Sequence, residues 1–485
     1  MSNKYDVIVI GSGIGGLTSG AFLANSGKKV LVLEQHYQIG GYTHSFKRRG
    51  FNFESAVHSV PMSPHGLIFH LLNQLGIGEK IKTIPHNSMY RSIWPDFSYT
   101  LPPYCDDIIR ALGSDFPKEK TNIRNVFDSM RSFYESLIDP VKKGSLDETT
   151  SYREFINTFQ NRSYKEYLDS FLTDDRVRRV FYSQWPFGGT PPSGAPVAYY
   201  VLMFMVHAME GSHYLEGGFS KLADALASVI TDNGGAVLTR KKVTGIHVEN
   251  GLAKRVTTSK NEEYFADLII SNISPYSLHS ELIDSHARNK LWLRRLGNLT
   301  PSLSSVILYL GLTEDIDDFT KENITFWYAH NDDEAIYSSA KSANCRDEPD
   351  HLILLRPAHH VGGPTLTLMN FVRNSCSDNW KTDKHLFAQK MLDKAESIYP
   401  GLSKRVSMKE TGSPDTFFRY TSNTDGSLYG FENTKSIYGE AKLPSKTHIK
   451  NIYQSGHWGK PGGGIWNAVY NGYSTYLMIK GEQKL

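Results

Sequence analysis

Three glycines and a glutamate near the start of the chain have types and a spacing that could bind a pyrophosphate and a ribose. Gly11, Gly13 and Gly16 form the pattern G-x-G-x-x-G, and Glu34 follows further along. The first glycine of such a turn allows a tight bend, the second lets the backbone approach phosphate, and the third lets a helix pack closely. An acid at Glu34 favours FAD or NAD over NADP. Taken alone, the glycines also fit an ordinary structural turn.

The elements predicted around these residues place them where that chemistry needs them. Residues 5–10 (YDVIVI) and 30–33 (VLVL) are aliphatic runs typical of strands buried on both faces. Residues 17–26 are predicted to form a helix of small residues between them. This order directs the positive end of the helix at the phosphate, so we predict dinucleotide binding.

A second glycine pair extends the pattern into a recognisable signature. Gly40 and Gly41 are followed by the stretch to Val60, and residues 33–60 read LEQHYQIGGYTHSFKRRGFNFESAVHSV. This stretch resembles the N-terminal signature of the flavoprotein family that contains retinol saturases, carotenoid isomerases and bacterial phytoene desaturases. The resemblance implies FAD. Many members have Arg where this chain has Tyr42, so either Arg48 or Arg49 is a candidate replacement, or both belong to a solvated turn.

Two later segments resemble the same family. Residues 211–272 contain a glycine-rich turn, a hairpin predicted at Asn250-Gly251, and Val243, whose counterpart in the family packs on the adenine. Near the end, glycines from Gly456 onward precede a predicted helix, an arrangement that offers backbone N–H groups to an anion or a carbonyl. The resemblance implies that this segment approaches the flavin.

These patterns together define the predicted cofactor and catalytic residues. The predicted FAD-binding residues are Gly11, Gly13, Ile14, Gly15, Gly16, Glu34, Gln35, Gly40, Gly41, Val57, His58, Val243, Gly456, Gly463, Gly464 and Ile465. His58 and Arg419 are the candidate catalytic residues, although His58 also fits a structural histidine and Arg419, with Tyr420, an exposed loop. Trp466 either shapes the pocket or only packs. His359-His360 has no third ligand nearby, so no metal site is predicted.

The predicted fold class is α/β, with a Rossmann-like FAD-binding domain of the glutathione-reductase type. A mixed-sheet substrate domain and a helical subdomain complete it. The FAD-binding domain is expected to be discontinuous, from residues 1–90, 211–300 and 411–485. Residues 91–210 and 301–410 are expected to form the substrate-binding domain, whose helical part could face a membrane.

Composition narrows the functional classes. The 485 residues carry 53 Lys and Arg against 50 Asp and Glu, and this near balance argues against nucleic-acid binding. Three scattered cysteines indicate no disulfide framework and favour a cytoplasmic setting. The 12% aromatic content predicts an apolar tunnel, with its mouth near residues 195–206 resting on a membrane. The arginines of residues 174–179 (DDRVRR) fit either a solvated helix face or a lipid-facing patch.

Three functions fit these features. The first is an FAD-dependent oxidoreductase that desaturates, saturates or isomerises C=C bonds of a lipophilic, carotenoid- or retinoid-like polyene, with peripheral membrane contact. The second is a flavin amine oxidase acting on a polar substrate. The third is a flavin-free module that binds prenylated proteins, against which the intact glycines and Glu34 argue.

Overall fold

Two seven-stranded sheets and a group of helices form the framework of the described chain. The computed structural model describes residues 3–342, 347–435 and 443–483. Cys345, one of the three scattered cysteines, lies outside these ranges.

The first sheet joins strands that are far apart in sequence. In spatial order its strands are Ala236–Leu238, Val30–Leu33, Lys4–Ile10, Glu263–Ser271, Leu252–Thr258 and Val243–Glu249. Ile452–Gln454 pairs in parallel with the second half of Glu263–Ser271. Asn250 and Gly251 both have positive φ, 52° and 74°, as the predicted hairpin turn requires.

Alternate side chains of this sheet enter two separate cores. Val7 and Val9 belong to the core that contains the helices on one face, whereas Ile8 and Ile10 belong to the core on the other face. The period of two explains why the strand is apolar throughout. Three helices pack together over the first face: Ile14–Asn25, Ser220–Asp232 and Ile465–Gln483.

The second sheet is mixed, as predicted. In order its strands are Val406–Gly412, Ser304–Leu312, Thr365–Val372, His351–Leu355, Ile324–Tyr328, Tyr90–Ile93 and Ser98–Leu101. Only Ile324–Tyr328 and Tyr90–Ile93 pair in parallel among these strands. One face packs on the Trp380–Ile398 helix through Leu308 and Leu368, and the opposite face presents Tyr309 and Phe326 to the interior.

A helical region follows strand Ser98–Leu101 and ends just before strand Ser212–Leu215, and it confirms the predicted helical part. Its helices are Cys105–Asp115, Lys120–Lys142, Thr150–Phe159, Tyr164–Asp169, Asp175–Tyr182, Trp185–Gly188 and Val197–Glu210. Phe127, Met130 and Phe133, three residues apart in helix Lys120–Lys142, are buried on one side of that helix. The α/β fold class with a mixed second sheet is therefore confirmed.

Shorter elements complete the described chain. The remaining α-helices are Leu67–Gln74, Pro275–Ser277, Lys290–Gly297, Asp333–Ser342, Leu402–Arg405 and Pro414–Thr421. A two-stranded sheet pairs Ser45–Arg48 with Phe51–Glu54. A three-stranded sheet contains, in spatial order, Val60–Pro61, Ser212–Leu215 and Thr83–Pro85.

The prediction that residues 195–206 form a membrane-facing mouth is wrong. Helix Val197–Glu210 lies in the interior, and its apolar residues are buried on nearly every side. A run of this length serves a buried helix as well as an interfacial one, and packing decides between them. No helix within the described ranges is long and apolar enough to cross a bilayer.

The arginines of residues 174–179 do not form a free lipid-facing patch. Arg179 is buried and paired with Asp96 at 2.8 Å, while Arg178 is 3.0 Å from Asp169. Arg176 pairs with Asp174 at 2.7 Å. Each of these three arginines is thus paired with a carboxylate of the protein. The Arg179 pair joins the helical region to the loop between strands Tyr90–Ile93 and Ser98–Leu101.

Candidate active site

The glycine-rich turn is packed so closely that side chains are excluded from it. A Cβ on Gly15 would collide with the backbone of Gly456, and one on Gly13 would collide with the Asn272 amide. Gly13 also forms a bridge with Gly40, which brings the two glycine loops together. The turn thus leaves bare backbone facing a cavity at the N-terminus of the Ile14–Asn25 helix. This is the geometry that a pyrophosphate requires, so the cradle fits a dinucleotide.

Asn272 organises this cradle and was missed in the sequence. Its Oδ1 accepts a hydrogen bond from the backbone N–H of Gly16 at 3.0 Å. The residue ends the stretch FADLIISN, directly after the strand Glu263–Ser271, so its position at a strand end was the available signal. A strand end distant in sequence therefore fixes the turn.

Glu34 lies at the end of the second strand with its carboxylate held in place. Oε2 accepts from the Ser12 N–H at 2.8 Å and from the Ser12 hydroxyl at 2.6 Å, and Oε1 accepts from the His36 N–H at 2.8 Å. The carboxylate is nearly buried and lines the same cavity as the glycines. A fixed acceptor at this position suits a ribose diol.

Tyr42 belongs to a buried polar network rather than to a solvated loop. Its hydroxyl donates to the Ser427 carbonyl at 2.9 Å and accepts from the Asn423 amide at 3.1 Å. Burial raises the pKa of Tyr42 to about 12, so the phenol stays neutral. Arg48 lines the cavity and lies 3.4 Å from Glu410. Arg49 does not line the cavity and occupies a hairpin turn with positive φ.

The C-terminal glycines end at the start of the last helix, as the pattern predicted. The Gly456 N–H donates to Asn471 Oδ1 at 2.7 Å, which ties the turn to the Ile465–Gln483 helix. Gly463 packs against Tyr429, and a Cβ there would collide with it. The turn and the first residues of the helix, including Trp466, line the cavity.

A single cavity of about 430 Å³ connects these segments. Every predicted cofactor residue lines it except Gly16, which lies just behind it on Asn272. Val243 is buried and lines the cavity near Glu34. The two residues are close because the backbone N–H of Lys241, two residues before Val243, donates to the Glu34 carbonyl at 2.7 Å.

The opposite end of the cavity is mostly apolar, and we call it the inner chamber. Its lining comes from the helical region, the second sheet and the segment after the second glycine loop. The inner chamber is lined by His58, Ser59, Met89, Tyr90, Gln184, Phe187, Tyr199, Met203, Val206, His207, Ile324, Phe326 and Met369. Helix Val197–Glu210 therefore contributes Tyr199, Met203, Val206 and His207 to the chamber wall rather than to a membrane-facing surface.

The two proposed catalytic residues lie in different surroundings. His58 lines the inner chamber, its ring 4.5 Å from that of Phe187, and burial lowers its pKa to about 4. Arg419 is exposed at the outer rim, its guanidinium 4.7 Å from the Tyr420 ring. Gln35 donates to the Tyr420 carbonyl, so Arg419 lies on the Glu34 side of the cavity. The structure does not place Arg419 in the inner chamber.

His360, of the His359-His360 pair, interacts with a carboxylate. His360 Nε2 lies 3.0 Å from an oxygen of Asp315. In the ranges that the structure describes, no group of three or more His, Cys, Asp or Glu side chains is arranged to hold a metal ion.

Curated relatives carry names that match the resemblance seen in the sequence. The chain is 25% identical to an all-trans-retinol 13,14-reductase of Danio rerio, over 93% of this chain and 82% of that one. It is equally similar to prolycopene isomerase 2 of an Oncidium hybrid cultivar, over 97% and 83%. A 4,4'-diapophytoene desaturase of a Methylomonas species is 25% identical over 67% of this chain and 64% of that protein.

Solved structures share the fold at lower identity. An oxidoreductase of Methanosarcina mazei matches with a TM-score of 0.67 and 18% identity, covering 97% of this chain and 99% of its own. A putrescine oxidase with bound putrescine matches with a TM-score of 0.63 and 15% identity, each chain covered to 99%.

The family model for flavin-containing amine oxidoreductases matches residues 14–475. The match begins at the first residue of helix Ile14–Asn25, directly after Gly11 and Gly13, and extends through the second glycine loop and the second sheet into the last helix. The predicted family, cofactor and enzyme class are therefore confirmed. The chain belongs to the flavin-containing amine oxidoreductase family and is an FAD-dependent oxidoreductase.

Proposed function

We propose that this enzyme changes C=C bonds of a lipophilic, carotenoid- or retinoid-like polyene, by saturation, desaturation or cis–trans isomerisation. The observation that carries the proposal is the inner chamber, an apolar space continuous with the glycine cradle. The names of the relatives support it, since they include a retinol reductase, a polyene desaturase and a polyene isomerase. A chamber of this composition suits a long apolar molecule better than a polar one.

We propose that the cradle holds FAD in an extended form along the cavity. Backbone N–H groups around Gly13 and the N-terminus of helix Ile14–Asn25 would receive the pyrophosphate, and Glu34 would bind the adenosine ribose. Val243 would pack on the adenine. The turn at Gly464 would then approach the flavin, with the N-terminus of helix Ile465–Gln483 stabilising negative charge there. Bound FAD supplies hydride chemistry.

The side chains of the inner chamber would act by binding and by excluding water. Phe187, Phe326 and Met203 provide apolar surface along which a polyene can lie. His58 is uncharged near neutral pH because burial lowers its pKa to about 4, so it is not a ready acid. Its proposed role is to contact the substrate. Arg419, at the rim, is better placed to contact the nucleotide half of FAD.

An amine substrate is the second candidate, because the solved neighbours include an amine oxidase. Of the described residues, the carboxylates that line the cavity are Glu34, Glu281 and Glu410. Glu34 is held on the nucleotide side, and Glu410 pairs with Arg48. Glu281 lies within the helical turn Leu278–Leu282, which packs against the strand of Val243. None of the three lines the inner chamber, where a protonated amine would need a counter-ion.

The division of the chain into an FAD-binding and a substrate-binding domain remains a proposal at the predicted boundaries. We also propose a cytoplasmic location with peripheral contact to a membrane, from which a lipophilic substrate would be drawn. The exposed aromatic residues Tyr37, Phe418 and Tyr420, at or beside the outer rim, support this contact.

Comparison of lipids from cells with and without the chain tests the proposed reaction. A polyene whose mass changes by two hydrogens would indicate saturation or desaturation, and an unchanged mass with altered retention would indicate isomerisation. Unaltered polyenes, combined with peroxide release from amines by the purified flavoprotein, would overturn the proposal in favour of the amine oxidase.

A further inference from the structure

A group of polar side chains interrupts the apolar lining of the inner chamber. His58 and His207 both face the chamber, and His207 Nδ1 is 2.8 Å from the Ser212 hydroxyl. In the described chain neither imidazole has a hydrogen bond at Nε2. Ser59 and Gln184 are buried and also line this end of the cavity. Ser59 Oγ and Gln184 Nε2 each lack a hydrogen-bond partner among the described residues.

These groups lie close to one another because a short strand pairing gathers them. Val60 pairs with His213 and Pro61 with Ser212, which places His58 and Ser59 beside the end of the His207 helix. Gln184 begins the short helix that carries Phe187, whose ring is 4.5 Å from His58. The four polar residues thus converge at one end of an apolar space.

The group carries no charge near neutral pH. Burial lowers the pKa of His58 to about 4 and that of His207 to about 3. For His207, the neighbouring His58 and His213 lower the pKa further. The cations that line the cavity in the described ranges lie elsewhere: Arg48 beside Glu410, Lys384 on the Thr411 carbonyl, Lys241 and Lys242 beside Val243, and Arg419 at the rim. A neutral imidazole offers one donor and one acceptor, as a hydroxyl does.

We propose that His58 and His207, with Ser59 and Gln184, bind an uncharged alcohol or aldehyde oxygen on the lipophilic substrate. This inference rests on the proposed function and narrows its substrate class. A pure hydrocarbon would leave these buried groups unsatisfied, and a carboxylate would enter a chamber without a cation. The enzyme should therefore bind a polyene that carries an alcohol or an aldehyde more tightly than a hydrocarbon polyene or a polyene carboxylate.

Binding of matched ligands to the FAD-loaded protein tests this inference. The probes are all-trans-retinol, all-trans-retinal, the analogue in which a methyl group replaces the alcohol, and all-trans-retinoic acid, all measured by equilibrium dialysis at one detergent concentration. We expect the alcohol and the aldehyde to bind at least about tenfold more tightly than the hydrocarbon and the acid.

Two substitutions at one position separate hydrogen bonding from packing. His207→Leu should reduce the preference for alcohol over hydrocarbon to less than about threefold, whereas His207→Gln, whose amide reaches the Nε2 position, should retain most of it. Met209→Leu, on the same helix but outside the cavity lining, is the matched control and should bind like the wild type. Ser59→Ala provides a smaller change if His207→Leu loses flavin.

The outcomes distinguish this inference from the proposed function. Equal binding of alcohol and hydrocarbon by the wild type, or tighter binding of the acid, would overturn the inference and leave polyene chemistry intact. A preference unchanged in both His207→Leu and Ser59→Ala would also overturn it. If none of the four retinoid probes binds, and a carotene hydrocarbon measured by the same dialysis does not bind either, the proposed function fails together with the inference.

Discussion

At the residue scale, the proposed flavin cradle depends on bare backbone. The contact between Gly15 and Gly456 joins the first and last segments of the proposed FAD-binding domain, and no side chain fits between them. Asn272 adds a hydrogen bond to Gly16 from a third segment. Three distant pieces of chain therefore meet at one turn, and small changes there should affect cofactor binding before the fold.

Gly15→Ala should yield protein with little or no bound flavin. The added methyl group would push the Gly456 turn away from the cradle. Gly297→Ala, at the end of the Lys290–Gly297 helix with open space around it, is the matched control and should retain flavin. The flavin-to-protein absorbance ratio after purification measures both. Normal flavin content in Gly15→Ala would show that flavin binds even when the Gly456 turn is pushed away from the cradle.

Glu210 should make stability depend on pH in a particular direction. Its Oε1 accepts from the Tyr134 hydroxyl at 2.8 Å and from Trp466 Nε1 at 3.3 Å, while Oε2 has no partner in the described chain. Burial raises its pKa to about 7 from 4.5. The contribution of protonated Glu210 to the free energy of unfolding is complete below pH 4.5. It is lost as the pH rises toward 7, by at most about 1.4 kcal/mol per pH unit.

The wild type should therefore lose stability between pH 5 and 7 in a way that Glu210→Gln does not. The free energy of unfolding of the variant, relative to that of the wild type, should rise across this range and change little above pH 7. The amide keeps an oxygen for Tyr134 and Trp466 but has no proton to lose. Urea unfolding of both proteins at several pH values gives the difference directly. A difference that is constant across this range would contradict the raised pKa.

At the element scale, the first and last helices approach each other through another glycine. A Cβ on Gly472 would meet the Gly15 carbonyl and the Thr18 side chain. The crossing holds the C-terminal turn against the N-terminal cradle. The helix N-termini of both segments thereby point into one cavity.

Gly472→Ala should lower the free energy of unfolding by about 1–3 kcal/mol and weaken flavin retention. Gly481→Ala, further along the same helix where nothing lies within 4 Å, should raise stability by about 0.5–1 kcal/mol, because alanine favours helix. Denaturant titration of the two variants compares them in one element. Equal effects of both substitutions would show that the close crossing is unimportant.

Local patterns explain which elements the sequence could predict. The strand, turn and helix at residues 4–25 follow from adjacent residues, as does the hairpin at Asn250. Helix Val197–Glu210 was also predictable as a helix, but its interior position was not, because an apolar run has the same composition in a core and at a membrane. His207 and Asn423 reach the cavity only through long-range packing, which no spacing in the sequence reveals. Asn272 has a signal in its position at the end of a strand, but its hydrogen bond with the Gly16 N–H depends on long-range packing too.

At the scale of the whole molecule, one cavity joins the glycine cradle, where we propose that the nucleotide binds, to an apolar chamber. The first sheet and its helices provide the former, and the second sheet with the helical region provides the latter. Much of the aromatic surplus lies in the interior, with Phe187 and Phe326 on the chamber wall. The sequence-based expectation of an apolar tunnel thus agrees with the position of this chamber, while its mouth lies elsewhere than predicted.

Phe418→Asp should weaken binding to vesicles that contain anionic lipids if the rim contacts a membrane. Phe418 is exposed on the helix that also carries Arg419, so aromatic and basic groups are adjacent there. Leu291→Asp, at another exposed apolar residue, is the control and should leave binding unchanged. Vesicle sedimentation measures both, and equal loss or no loss in the two variants would contradict a specific role for the rim.

The most direct test of the central claim is anaerobic mixing of the purified flavoprotein with a polyene while the flavin absorbance and the product mass are recorded. Oxidised enzyme would be mixed with the polyene alone, and chemically reduced enzyme would be tested in parallel. We predict a polyene product altered by two hydrogens in step with the change in flavin absorbance, or an isomer of unchanged mass. An unchanged polyene under both conditions, with flavin reduction by an amine instead, would contradict the account.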